Sequence, residues 1–129
     1  MQLTKNFSSL EFACHNGDQV PLELVPNLQK LATNLQALRD ALGVPIMILS
    51  GYRSPAYNVA CGGAKRSQHM EANAADIVIP HLSPVKVHAK ILELIASGAM
   101  HDGGVGLYNG PENYWVHYDV RPESKRWNG

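Results

Sequence analysis

Ser67-Gln68-His69-Met70-Glu71-Ala72-Asn73-Ala74-Ala75-Asp76 runs directly into Ile77-Val78-Ile79 and stops at Pro80. The second half of this stretch reads as a strand over 74–79, closed by a proline that has no N–H to give to a ladder. Alternation places Ala74, Asp76 and Val78 on one face. Ala75, Ile77 and Ile79 take the other, which is the better core face. A carboxylate in the middle of an apolar strand is costly unless it is paired or bound to a cation. His69 precedes the strand, and imidazole nitrogen and carboxylate oxygen are both ordinary zinc ligands. The competing account of Asp76 is a salt bridge to Arg53, or bonds from backbone N–H groups.

A second stretch, Tyr114-Trp115-Val116-His117-Tyr118-Asp119-Val120, has the same period. Trp115, His117 and Asp119 share one face, and Val116, Tyr118 and Val120 the other. A His and an Asp two apart on a strand can converge on one site. The alternative is the exposed polar face of an edge strand.

Working outward, Leu24, Leu28, Leu31, Leu35, Leu38 and Leu42 recur at spacings of four and three. They predict a helix over 26–42 with one apolar stripe, ended by Gly43 and Pro45. Ile46 to Leu49 reads as a short strand. Ser54-Pro55 and Ser83-Pro84 each look like an N-cap followed by a first helical position, the second opening a helix to about Ala96. Residues 61–66 read as a loop. Val105–Tyr108 and Tyr114–Val120 read as strands joined through Asn109-Gly110-Pro111. A short helical piece is expected over 8–13, capped by Ser8 or Ser9 with Glu11 near its start. The tail from Arg121 is polar except for Trp127. The order predicts an α+β domain, with helices packed on a small antiparallel sheet and one domain spanning 1–129.

The 129 residues suffice to bury a core without staples. Eleven basic residues balance eleven acidic ones, which gives no electrostatic case for nucleic acid beyond a local patch around Lys65 and Arg66. No apolar run reaches the roughly 18 residues of a membrane helix. Lys5 lies in the first ten residues with no apolar run after it, so no signal peptide is expected. Cys14 and Cys61 lie outside any CxxC pattern, and free thiols are expected in preference to a bridge.

The run Ser67-x-His69-x-x-Ala72-x-Ala74-x-Asp76, with Trp115-x-His117 on a later strand, resembles the zinc D-Ala-D-Ala carboxypeptidases. That family includes phage endolysin peptidases of the L,D type, within a hedgehog/D-Ala-D-Ala-peptidase-like fold group. Ser50-Gly51-Tyr52-Arg53-Ser54 is similar to another of its segments, and the likeness runs from about Phe7 to Arg121. The resemblance implies one zinc ion held by His69, Asp76 and His117, and Arg53 in contact with substrate near the scissile bond. It implies that Ser67 braces the motif loop and that Trp115 lines the cleft.

The chain departs from the pattern twice. Ala72 stands for the usual glycine, which is mild if φ there is negative. Tyr114 stands where several relatives carry a catalytic acid, so Asp119 or Glu112 is expected to act as general base, Asp119 on geometry. The implied substrate is a peptidoglycan stem peptide or cross-link, cut next to a D-amino acid by a monomeric enzyme. Made in the cytoplasm, it would reach the wall after release or as a phage component. Two rivals stay open: a non-catalytic zinc-stabilised wall-binding module, and a metal-free domain in which the three residues lie apart.

Overall fold

A computed structural model describes residues 1–129. The leucine stripe forms helix α1 (Val25–Leu42), with Leu28, Leu31, Leu35 and Leu38 buried at helical spacing. Gly43 ends it in the left-handed region at φ 70°, where a glycine meets no Cβ penalty. Ser54 caps α2 (Pro55–Ala60) by accepting from the Tyr57 N–H at 3.3 Å, and Ser83 caps α3 (Pro84–Ala96) through Lys86. The strands are β1 (Met47–Ser50), β2 (Ala74–Val78), β3 (Gly104–Asn109), β4 (Tyr114–Asp119) and β5 (Lys125–Asn128). The piece expected over 8–13 is a 3-10 turn, Ser9–Phe12, in which the Glu11 carboxylate accepts the Ser8 N–H at 2.7 Å. No helix is long and apolar enough to cross a membrane. Both thiols are free, Cys14 buried and Cys61 exposed.

The sheet order is β1-β2-β4-β3-β5. The first three pairings are antiparallel, but β5 pairs parallel to β3, so the sheet is mixed rather than wholly antiparallel. The expected polar tail therefore contains a fifth strand. One face of the sheet carries Ala75, Ile77, Val105, Val116 and Tyr118, all buried, into a core shared with the leucines of α1 and with Val87 and Ile91 of α3. Phe7 and Phe12 join this core with ring centroids 5.9 Å apart.

On the other face one row crosses all five strands. The register aligns Ser50 with Asp76, Asp76 with His117, His117 with Gly106, and Gly106 with Trp127. Side chains at matched positions of neighbouring strands leave the same face. Four strands thus bring Asp76, His117 and Trp127 side by side, with a glycine as the gap between the last two. Gly106 is required there: a Cβ on it would lie 2.5 Å from Trp127 ring atoms.

Ala72 differs from expectation. Its φ is +57°, not negative, because it terminates the 3-10 turn Gln68–Glu71 with its N–H turned back to the Gln68 and His69 carbonyls. The position has the conformation that favours glycine, and the alanine occupies it with its methyl buried in the core.

Candidate metal centre

His69 sits on the 3-10 turn between β1 and β2, with Ser67 as the cap that accepts its N–H at 3.2 Å. The segment Ser50–Arg53 brackets it. His69 Nδ1 donates to the Gly51 carbonyl at 2.7 Å, and the Arg53 N–H bonds the His69 carbonyl at 3.0 Å. Gly51 lies so close to the Phe12 backbone that a Cβ would meet Phe12 Cα at 2.6 Å. With Nδ1 committed, Nε2 faces Asp76 Oδ2 at 3.3 Å.

His117 is the mirror case. Its Nε2 donates to Asp119 Oδ2 at 2.7 Å, and its Nδ1 faces Asp76 Oδ1 at 3.1 Å. The two imidazoles meet edge to face with centroids 5.2 Å apart. His69, Asp76 and His117 are all buried, and one donor atom from each lies within 4.8 Å of the others. The second rival required the three residues to lie apart, and here they converge.

The donor set fits a zinc ion. Each imidazole has its outer N–H bonded to an oxygen acceptor, which leaves the inner nitrogen's lone pair directed at the shared space. Two nitrogens and one carboxylate oxygen are an ordinary zinc ligand set. Without a cation, the three groups satisfy one another. Burial pushes the Asp76 carboxyl up, but hydrogen bonds from His117 and His69 outweigh this and hold it well below the usual carboxylate range. Burial disfavours the His117 cation, and its bonds to Asp119 and Asp76 more than offset this and raise its pKa. Arg53 also reaches Asp76, at 3.6 Å, so the salt bridge weighed for Asp76 exists alongside the histidines.

Neither expected base lines the cleft at the centre. Asp119 shares the His117 face as expected, but it has no exposed surface. Its Oδ1 accepts from the Gly104 N–H and from Arg121 Nε, each at 2.9 Å, and its Oδ2 from Arg121 NH2 at 2.7 Å. Burial alone would raise its pKa, yet the bonds from His117 and Arg121 hold it far below the usual range. Such a carboxylate has no lone pair turned to a substrate and lies behind the imidazole. Glu112 is exposed at the hairpin and does not line the cleft at the centre. Tyr114 is half exposed and lies three residues before His117, hence on the opposite strand face, where it lines a separate groove. An acid in its place would not face the centre.

The cleft over the three residues has a volume of about 430 Å³. Arg53, Ser67 and Trp115 line it. Arg66, Tyr108, Arg121, Lys125 and Trp127 line it too, and no motif in the sequence marks them as site residues. Trp127 packs on the His117 ring at 4.9 Å and donates its indole N–H to the Tyr108 hydroxyl at 2.9 Å, while Tyr108 stacks on Trp115 at 5.1 Å. The signal available was Lys125-x-Trp127, an alternation too short to stand alone. A larger groove of about 470 Å³, along Ile77–Pro84, contains none of the three donor residues.

No curated protein matches the chain. The family model described as Peptidase M15 matches residues 5–119, a span that contains β1 to β4 and all three donor residues. A buried His-Asp-His cluster on that fold, inside a match covering most of the sequence, leads to one assignment: the chain belongs to the peptidase M15 family, zinc D-Ala-D-Ala carboxypeptidase-like metallopeptidases.

Proposed function

We propose that the protein is a zinc-dependent peptidoglycan peptidase that hydrolyses a stem-peptide or cross-link bond next to a D-amino acid. One zinc is held by His69 Nε2, Asp76 and His117 Nδ1. The observation that carries this reading is the pairing of each histidine's outer nitrogen with an oxygen acceptor, since a site built only for packing has no need to fix both tautomers. Bound zinc polarises a scissile carbonyl and brings the pKa of water towards neutrality. The Gly51 carbonyl and Asp119 keep the imidazoles in one orientation. Arg53 holds a substrate carboxylate or the oxygen that gains charge. Ser67 braces the turn that carries His69, and Trp115 with Tyr108 walls the cleft. The protein acts as a monomer, on the wall after release from the cell or as part of a phage particle.

A second reading is a zinc-stabilised wall-binding module. It is favoured by one observation: Asp76 is the sole carboxylate lining the cleft. Purified peptidoglycan incubated with zinc-loaded protein separates the two. The enzyme releases new amino and carboxyl termini, seen by mass spectrometry, and Asp76→Asn or chelation abolishes them. Binding to the wall with no new termini favours the module.

A further inference from the structure

The family match ends at residue 119, yet the segment after it completes one side of the cleft. Alternation along β5 turns Lys125 and Trp127 towards the cleft. Arg126 turns away, to Asp102 at 2.6 Å and the Gly103 carbonyl at 2.8 Å. Arg66 enters from the loop before His69. With Arg53 and Arg121, four of the chain's eleven basic residues line a cleft in which Asp76 is the sole carboxylate, although the formal net charge is zero.

The four cations differ in their partners. Arg121 is bound to Asp119 at 2.7 Å and feels Glu123, and Arg53 faces Asp76 at 3.6 Å. Arg66 and Lys125 have no carboxylate within ion-pair distance. The Lys125 ammonium lies 5.8 Å from the Trp127 ring centroid, an arrangement that holds a cation over an aromatic face. Charge of one sign gathered in a walled cleft raises the local concentration of oppositely charged ligands. The acidic residues that balance the chain lie elsewhere, so the excess is local and faces the substrate.

We propose that Arg66 and Lys125 form a subsite for a substrate carboxylate remote from the scissile bond, so that the protein prefers cell-wall peptides whose D-glutamyl α-carboxyl is free over those in which it is amidated. This rests on the peptidoglycan reading above and adds to it the charge that selects the peptide. Arg66 is a five-donor fork suited to a carboxylate, and Lys125 a point charge supplied by β5.

Trp115 and Trp127 are the chain's two tryptophans and both line the cleft, so their fluorescence reports its occupancy before turnover. The probes are two synthetic pentapeptides, L-Ala-γ-D-Glu-L-Lys-D-Ala-D-Ala with the glutamyl α-carboxyl free or amidated, mixed with zinc-loaded protein in a stopped flow. The free acid is expected to bind about tenfold more tightly, about 1.4 kcal/mol. In the Arg66→Gln/Lys125→Gln double variant the preference falls below about twofold. Lys65→Gln, at an exposed residue outside the cleft, retains it. Equal binding of the two peptides by the wild type, an undiminished preference in the double variant, or no fluorescence change with either peptide overturns the subsite. Hydrolysis is followed in parallel: turnover without preference removes the subsite alone, and preference without turnover removes the peptidase reading alone.

Discussion

Asp119 accepts a 2.7 Å hydrogen bond from Nε2 of His117, while Asp76 faces Nδ1 of the same ring at 3.1 Å. The two carboxylates divide the imidazole between them, one for each nitrogen. The enclosed one sets the tautomer, and the one at the cleft shares the space into which Nδ1 points.

Asp119→Asn therefore acts on the metal more than on proton transfer. Loss of such an outer partner typically lowers metal affinity about 10–100-fold. The change also takes from half-buried Arg121 its paired carboxylate, at a cost of about 1–3 kcal/mol. Competition with a chromophoric chelator measures the affinity, and urea unfolding the stability. A variant with full zinc affinity and stability that loses only turnover would restore Asp119 as the proton acceptor.

Gly106→Ala tests the row across the sheet. The added methyl would lie 2.5 Å from the nearest Trp127 ring atoms, so the indole must leave His117 or the strands must part. Overpacking of this kind costs about 1–3 kcal/mol. Tryptophan emission should shift and zinc affinity should fall, both within a folded protein. An unchanged spectrum and affinity would mean that β5 does not press Trp127 onto His117.

Ala72→Gly is expected to be nearly neutral, because three terms oppose. Relief of the left-handed conformation gains about 1–2 kcal/mol. Loss of a fully buried methyl costs about 0.8 kcal/mol, and the freer unfolded glycine costs about 0.5–1 kcal/mol. Denaturant unfolding should place the variant within about 1 kcal/mol of wild type. A change beyond about 2 kcal/mol in either direction contradicts the bookkeeping.

His88 on α3 gives a pH dependence separate from the metal ligands. Burial disfavours its charged form and the Arg126 cation adds to this, so its folded pKa lies below 6.5. The unfolded chain then binds the proton first as pH falls through about 6.5, and stability drops on the acid side. Between about pH 7.5 and about 5.5, the wild-type melting temperature should fall more than that of His88→Gln. Parallel curves would mean that His88 titrates normally in the fold.

Much of this was legible in the sequence, for local reasons. The leucine stripe, Ser54-Pro55 and Ser83-Pro84 specify their helices through neighbours three or four residues away. Alternation alone put His117 and Asp119 on one face and Asp76 opposite the core face. The rest depends on partners distant in sequence. Lys125–Asn128 lies in what reads as a polar tail, and becomes a strand because β3 offers a free edge and Gly106 a slot for Trp127. Asp119 looked like a free base because its enclosure comes from Gly104, fifteen residues away, and from the return of the chain through Arg121. The fixed orientation of His69 comes from the Gly51 carbonyl, which no side-chain pattern reveals.

The central claim is that His69, Asp76 and His117 form one zinc centre. Zinc content by mass spectrometry, on protein purified without a nickel column, tests it most directly, with His69→Ala, Asp76→Ala and His117→Ala alongside. The account predicts one zinc per wild-type chain, lost in each variant, and a wild-type melting temperature that chelation lowers and added zinc restores. A folded wild type that takes up no zinc at neutral pH, or variants that keep it in full, would contradict the account.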